Sequence, residues 1–255
     1  MKYLQILLIL LLFYNCKNEN SKAEAESLTA NEIIDKSIEV AGGEKFDSST
    51  IKFVFRDHRY TAIRTEGKFR YTRFKVDDNK DSILDILKNE GFRRYINMQQ
   101  VKVADSMIAK YTASVNSVHY FSVLPHGLND QAVNKKLIGE EQIKGVDYYR
   151  IEVTFDKEGG GEDYEDVFIY WINKATFKPD YLAYSYNEDD GKGMRFREAF
   201  NERYVNGLRF ADYNNYKSDN PEIKLQDLAK AFDSNKLKLL SKIELENVEV
   251  DLIDL

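Results

Sequence analysis

Few of the side chains that could do chemistry stand at spacings that would let them do it. The three histidines are His58, His119 and His126. His119 and His126 lie seven residues apart, and Glu162, Asp163, Glu165 and Asp166 from a later loop could join them around a metal. No His-x-x-x-His or Glu-x-x-His pair supports that assembly, so neither a metal nor a cofactor is expected. Gly159-Gly160-Gly161 has the composition of a phosphate cradle but precedes a strand pattern, which makes it a hairpin loop. Asn187 to Gly193 (NEDDGKG) lacks the terminal glutamate and helical flanks of a calcium loop and reads as another turn. No Gly-x-Ser-x-Gly elbow presents a nucleophile. No residue is therefore assigned a catalytic role.

Two groups suit binding better than catalysis. Arg195 and Arg197 flank Phe196, so on a strand both project from one face. On a concave face they could grip a carboxylate or phosphate head group bidentately; on a solvated face they would simply be exposed. Tyr170 and Trp171 could line a cavity or fill a core. From the middle of the chain, Tyr111, Val115 and Val118 share one stripe of a helical pattern and face the same choice.

The remaining chemistry is an address. Lys2 precedes Ile6 to Tyr14 (ILLILLLFY), nine apolar residues that as a helix would span roughly 14 Å, about half a bilayer core. Residues 1–15 are expected to be a signal peptide. Cys16, the one cysteine, follows directly, so no internal disulfide framework exists. Its position is that of the lipid-carrying cysteine of bacterial lipoproteins, although Phe13, Tyr14 and Asn15 depart from the usual small residues before it. Cys16 is thus the expected lipid attachment site. Residues 16–28 form the tether and 29–255 a single domain. The expected location is the cell envelope, on a bacterial membrane, with the outer membrane and its periplasmic or surface face favoured.

Composition narrows the partners. The chain has 37 basic and 43 acidic residues, a net charge of −6, which argues against nucleic acid and against electrostatic binding to anionic membrane surfaces. Hydrophobic residues at 43% suffice for a core, and 13% aromatics favour β-structure over a helical bundle.

The elements that must position these residues follow from periodicity. Thr29 and Glu32 have capping-box spacing; Ile33, Ile34, Ile38 and Ala41 form a stripe; Gly42-Gly43 stops the helix. From Ile51 the period becomes two, through Tyr60–Thr65, Lys68–Val76 and a hairpin within Ser82–Val103. Asp105, as cap, opens a helix over Asp105–Phe121. Strands then recur at Val133–Gln142, Val146–Phe155, Tyr164–Asn173, Tyr181–Asn187, Met194–Tyr204 and Leu208–Tyr216, with Asn206-Gly207 the strongest hairpin signal. Leu225, Leu228, Ala229 and Phe232 mark a third helix before a last strand from about Lys242 to Leu252. Short connections dictate antiparallel pairing. The expected fold class is mainly β with three short helices (α+β): a curled, half-barrel antiparallel sheet of about ten or eleven strands capped by helices. Val167 to Ile172 is apolar on both faces, so both must be covered.

This pattern resembles the LolA/LolB superfamily of bacterial lipoprotein carriers. The likeness rests on the capped helix ending Ala41-Gly42-Gly43 and the aromatic strands IKFVFRDHRY and GKFRYTRF. It continues through the central helix, GVDYYRIEVTF, YEDVFIYWIN and YLAYSYNEDDGKGMRFREAF. It covers most of residues 29–216 and is architectural, with no catalytic signature. The resemblance implies a helix-capped, half-open sheet that holds lipid or acyl chains. The expected partners are accordingly a membrane, through the anchor, and a lipidic or other apolar ligand. An enzyme or a structural envelope component is the alternative, to be recognised by clustered titratable groups in a cleft.

Overall fold

The computed structural model describes residues 28–159, 164–188 and 191–253. Cys16, the signal segment 1–15, nearly all of the 16–28 tether, Gly160, Gly161, Glu162 and Asp163 lie outside them. Three α-helices occur among the described residues: α1 (Ala30–Ala41), α2 (Asp105–Ser122) and α3 (Leu228–Asp233). The first half of the chain supplies β1 (Ser49–Phe55), β2 (His58–Thr65), β3 (Lys68–Val76), β4 (Ser82–Lys88), β5 (Gly91–Ile96) and β6 (Gln99–Val101). The second supplies β7 (Val133–Ile143), β8 (Val146–Phe155), β9 (Val167–Asn173), β10 (Pro179–Glu188), β11 (Gly191–Val205) and β12 (Leu208–Ser218). It ends in β13 (Leu237–Ile243) and β14 (Glu246–Leu252).

The local signals act as written. Thr29 N–H donates to Glu32 Oε2 at 2.8 Å while Glu32 N–H donates to Thr29 Oγ1 at 3.3 Å, closing the capping box. Gly42 ends α1 at φ 132°, where a Cβ would lie 2.8 Å from the Gly207 carbonyl oxygen; only glycine lets the helix end approach the β11–β12 hairpin. That hairpin turns at Asn206 and Gly207, with φ of 48° and 80°, the left-handed pair a two-residue turn needs.

The strands form two seven-stranded antiparallel sheets that do not close into a barrel. Sheet 1 runs β14-β1-β2-β3-β4-β5-β6 and sheet 2 runs β13-β12-β11-β10-β9-β8-β7. This corrects the expected sheet of about ten or eleven strands in two ways. Ser82–Val103 yields three strands, because Asn97 and Met98 take positive φ (49° and 67°) and form a turn without glycine. The last expected strand breaks at Glu244-Leu245. There Leu245 N–H donates to Asp212 Oδ1 at 2.9 Å, and the Leu245 carbonyl accepts from Arg203 Nη2 at 2.6 Å. With both backbone groups satisfied by side chains, the chain leaves sheet 2 as β13 and joins β1 in sheet 1 as β14.

α1 and α2 sit where the inner faces meet. Ile33 and Ile34 pack with Ile151, Tyr170, Leu182 and Tyr213 of sheet 2. Ala41 packs with Phe53, Tyr60 and Ala62 of sheet 1 and with Phe210. α3 covers the opposite face of sheet 2, over Trp171, Tyr181 and Phe196. Both faces of β9 are thereby buried, one by the inner core and one by a helix, as its apolar run demands.

Candidate functional site

α2 is fastened to sheet 1 on one side and leaves a cleft on the other. Its first helical residue is Asp105; Ala104 is the cap and offers no side-chain acceptor, which corrects the expected capping role of Asp105. Arg73 Nη1 donates to Ser114 Oγ at 2.7 Å, and the Arg94 guanidinium lies 3.7 Å from the Tyr111 ring centroid. Further along, His119 is wholly buried, stacked on Tyr71 and close to the Thr72 carbonyl oxygen (Nε2 at 3.1 Å). Burial pushes its pKa down to about 3, so the ring is neutral and Nε2 is the donor.

The opposite side of α2 presents Ser117, Val118 and Phe121 to the inner face of sheet 2. Between them lies an inner compartment of about 300 Å³, lined by Phe55, Val118, Phe121, Tyr184, Ala211, Tyr213, Ile243 and Leu245, with Arg56, Arg197, Asn215 and several serines. No carboxylate is in this lining. An outer compartment of about 670 Å³ shares Arg56, Ser117, Phe121, Tyr184, Asn215 and Ser241 and extends past Phe155, Phe168, Arg195 and Leu240, with Asp166 on its wall. Both volumes fall in the range of small-ligand pockets, about 300–1,000 Å³. Strand alternation supplies the floor: Arg197 faces Asn215 and Leu182 across the ladders, so its whole row points inward.

The structure brings Val118, Arg195 and Arg197 together in this cleft. It places the other candidates elsewhere. Tyr170 is fully buried beneath it, its hydroxyl 3.4 Å from that of Tyr120. Trp171 is buried on the opposite face and donates from Nε1 to Glu141 at 2.8 Å. Val115 is wholly buried, and Tyr111 lines a separate polar recess with Arg73, Asp85 and Arg94. Arg56, in the turn after β1, and Leu245, at the break between β13 and β14, line the cleft without a sequence signal of their own. Both reach the cleft only because two sheets converge there.

A polar recess of about 440 Å³ lies on the far side of α2, around Asp47, Arg64, His126 and Asp130. His126 stacks on Phe46 and stands 3.5 Å from Asp47. Burial lowers its pKa to about 4 and raises that of Asp130, with the Asp47 charge a lesser cause for Asp130. His119 does not join it. Among the described residues no group of three or more His, Cys, Asp or Glu converges as a metal site, and no helix is long and apolar enough to cross a membrane.

A LolA superfamily protein from Nitrosomonas europaea superposes with a TM-score of 0.51 at 15% identity, covering 90% of this chain and 96% of that one. A DUF1329 family protein from Desulfovibrio piger gives 0.41 at 12% identity over 87% and 93%. The first likeness shows a LolA-like fold and, at such identity, the fold alone. No curated protein matches the chain. The profile of the family of unknown function DUF6503 matches residues 2–245, and the chain belongs to that family.

Proposed function

We propose that this protein is a lipid-anchored envelope protein that holds an acyl chain or a similarly apolar ligand in the cleft between α2 and sheet 2. The observation that carries the reading is the inner compartment, bounded mainly by Phe55, Val118, Phe121, Tyr184, Tyr213 and Leu245. An acyl chain placing ~10 methylenes there would gain about 8 kcal/mol before association costs, which leaves micromolar or weaker binding. The helix-capped sheets of the LolA-like fold and the apolar lining support this reading together. Val118, Arg195 and Arg197 are the proposed ligand contacts from the sequence set.

The test is titration of delipidated protein with a fluorescent fatty acid. Saturable binding, competed by unlabelled fatty acid, is expected; a linear, non-saturating response would contradict the proposal.

The anchor is proposed separately, from a single cysteine placed directly after an apolar segment. Cys16→Ser is expected to move the protein from the membrane fraction to the soluble periplasmic fraction. Equal solubility of both forms on fractionation would refute the anchor and leave the cleft untouched.

A further inference from the structure

We infer that the ligand of this cleft is an acyl compound with an anionic head, and that Arg197 is the residue that receives the head. This rests on the acyl-binding reading above and specifies its chemistry.

Arg197 is 8% exposed and lies on the inner face of β11. Among the described residues no carboxylate pairs with it. The acidic groups nearby in sequence and across the ladder are engaged with other partners. Glu198 bonds Lys144, Asn214 and Tyr216, Glu202 bonds Lys178 and Arg209, and Asp212 bonds Asn201, Arg203 and the Leu245 amide. A buried guanidinium without a counter-ion carries an uncompensated desolvation cost.

What surrounds Arg197 offsets only part of that cost. Its guanidinium lies over the Phe121 ring, 4.2 Å from the centroid, and over the Tyr184 ring at 4.9 Å. Nη2 donates to the Tyr184 hydroxyl at 2.8 Å, whereas the buried Nε has no hydrogen-bond partner. Ring contacts leave a guanidinium's in-plane N–H donors unsatisfied, and the enclosed Nε–H has no acceptor among the described residues. A carboxylate or phosphate oxygen is the acceptor that both bonds such a donor and neutralises the charge.

The neighbours agree. Arg56 lines both compartments and Arg195 the outer one, while the inner lining contains no carboxylate. With Asp166 on the outer wall set against Arg56, Arg195 and Arg197, the cleft is still cationic on balance, in a protein whose net charge is −6. Asn215 adds a polar group beside Arg197, held by its Nδ2 bond to Ser241 Oγ at 3.2 Å. With the head at Arg197, the chain would fill the inner compartment beside Phe121 and Leu245 and continue toward Phe168 and Leu240 in the outer one. The competing interpretation is a purely structural Arg197 that clamps Phe121, and so α2, to sheet 2.

The experiment compares hexadecanoic acid, hexadecyl phosphate and methyl hexadecanoate as competitors of one fluorescent acyl probe, with inorganic phosphate as a fourth arm. A charge-assisted hydrogen bond to Arg197 should make at least one of the two anionic lipids about tenfold or more tighter than the ester. Whichever anionic lipid is preferred identifies the head. Displacement by inorganic phosphate alone at equal concentration would mean that the site takes free anions, and would overturn the acyl-anion inference. Arg197→Gln should bring acid and ester within about threefold of each other while the ester retains its affinity. The unmodified protein carries the decisive comparison if that variant fails to fold. Equal binding of acid, phosphate and ester would leave the acyl cleft standing and reject the anionic head. No binding of any of the lipids would reject both.

Discussion

Replacing Asp85 by alanine is expected to destabilise the protein by about 3–5 kcal/mol, as a leftward shift of the urea unfolding midpoint. Asp85 is 1% exposed in the middle of β4 and is bonded from both neighbouring strands. From β3, Arg73 donates to Oδ2 through Nε at 3.1 Å and Nη2 at 2.7 Å. From β5, Arg94 donates to Oδ1 through Nε at 2.6 Å and to Oδ2 through Nη2 at 3.0 Å. Removing the carboxylate leaves two poorly exposed guanidinium groups in one rung of sheet 1 with no anion between them. The surface pairs of Lys52 with Glu249 and Asp251 are the control, since Lys52→Ala should change stability by no more than about 0.5 kcal/mol. A midpoint shift for Asp85→Ala no larger than that of the control would show that the triad contributes little. The triad also matters beyond stability, because Arg73 and Arg94 are the two cations that seat α2 at Ser114 and Tyr111. Its loss should therefore loosen the helix that forms one wall of the cleft.

Ser117→Trp is expected to reduce acyl-probe affinity about 100-fold while leaving the unfolding midpoint close to that of the parent. Ser117 lines both compartments and stands where they join, so an indole there fills the passage between them. Excluding roughly four methylenes from apolar surroundings at about 0.8 kcal/mol each gives about 3 kcal/mol, which is that hundredfold. The position is partly exposed and bonds only the Ser114 carbonyl of its own helix, at 3.4 Å, so the larger side chain displaces no buried partner. Unchanged affinity in a folded Ser117→Trp protein would place the ligand elsewhere.

What the sequence discloses about this fold is its local order. The Thr29 capping box, the Asn206-Gly207 turn and the alternation of Tyr149, Ile151 and Val153 each depend on a few adjacent residues, and each acts in the structure as its chemistry dictates. The division into two sheets depends on contacts distant in sequence. Leu245 leaves the β13 ladder because Asp212 and Arg203, more than thirty residues earlier, satisfy its backbone, and no pattern within residues 242–252 records that. The same distinction separates the candidate site residues. Arg195 and Arg197 share a face by strand alternation alone, and the concavity of that face follows from the packing of α2. Trp171 could not be placed from its strand, since β9 is apolar on both sides and only α3 decides which side is outer. Val115 and Tyr111 lie on the expected helix, yet Arg94 and Phe92 of sheet 1 draw Tyr111 away from the cleft.

The central claim is that an acyl ligand lies between α2 and sheet 2, and anomalous diffraction from a co-crystal with a terminally brominated fatty acid tests it most directly. The expected result is a bromine signal inside the cleft bounded by Phe121, Tyr184 and Leu240, with the carboxylate within hydrogen-bond distance of Arg197. A fully occupied bromine outside that cleft, on the outer faces of the sheets or in the polar recess around His126 and Asp130, would contradict it.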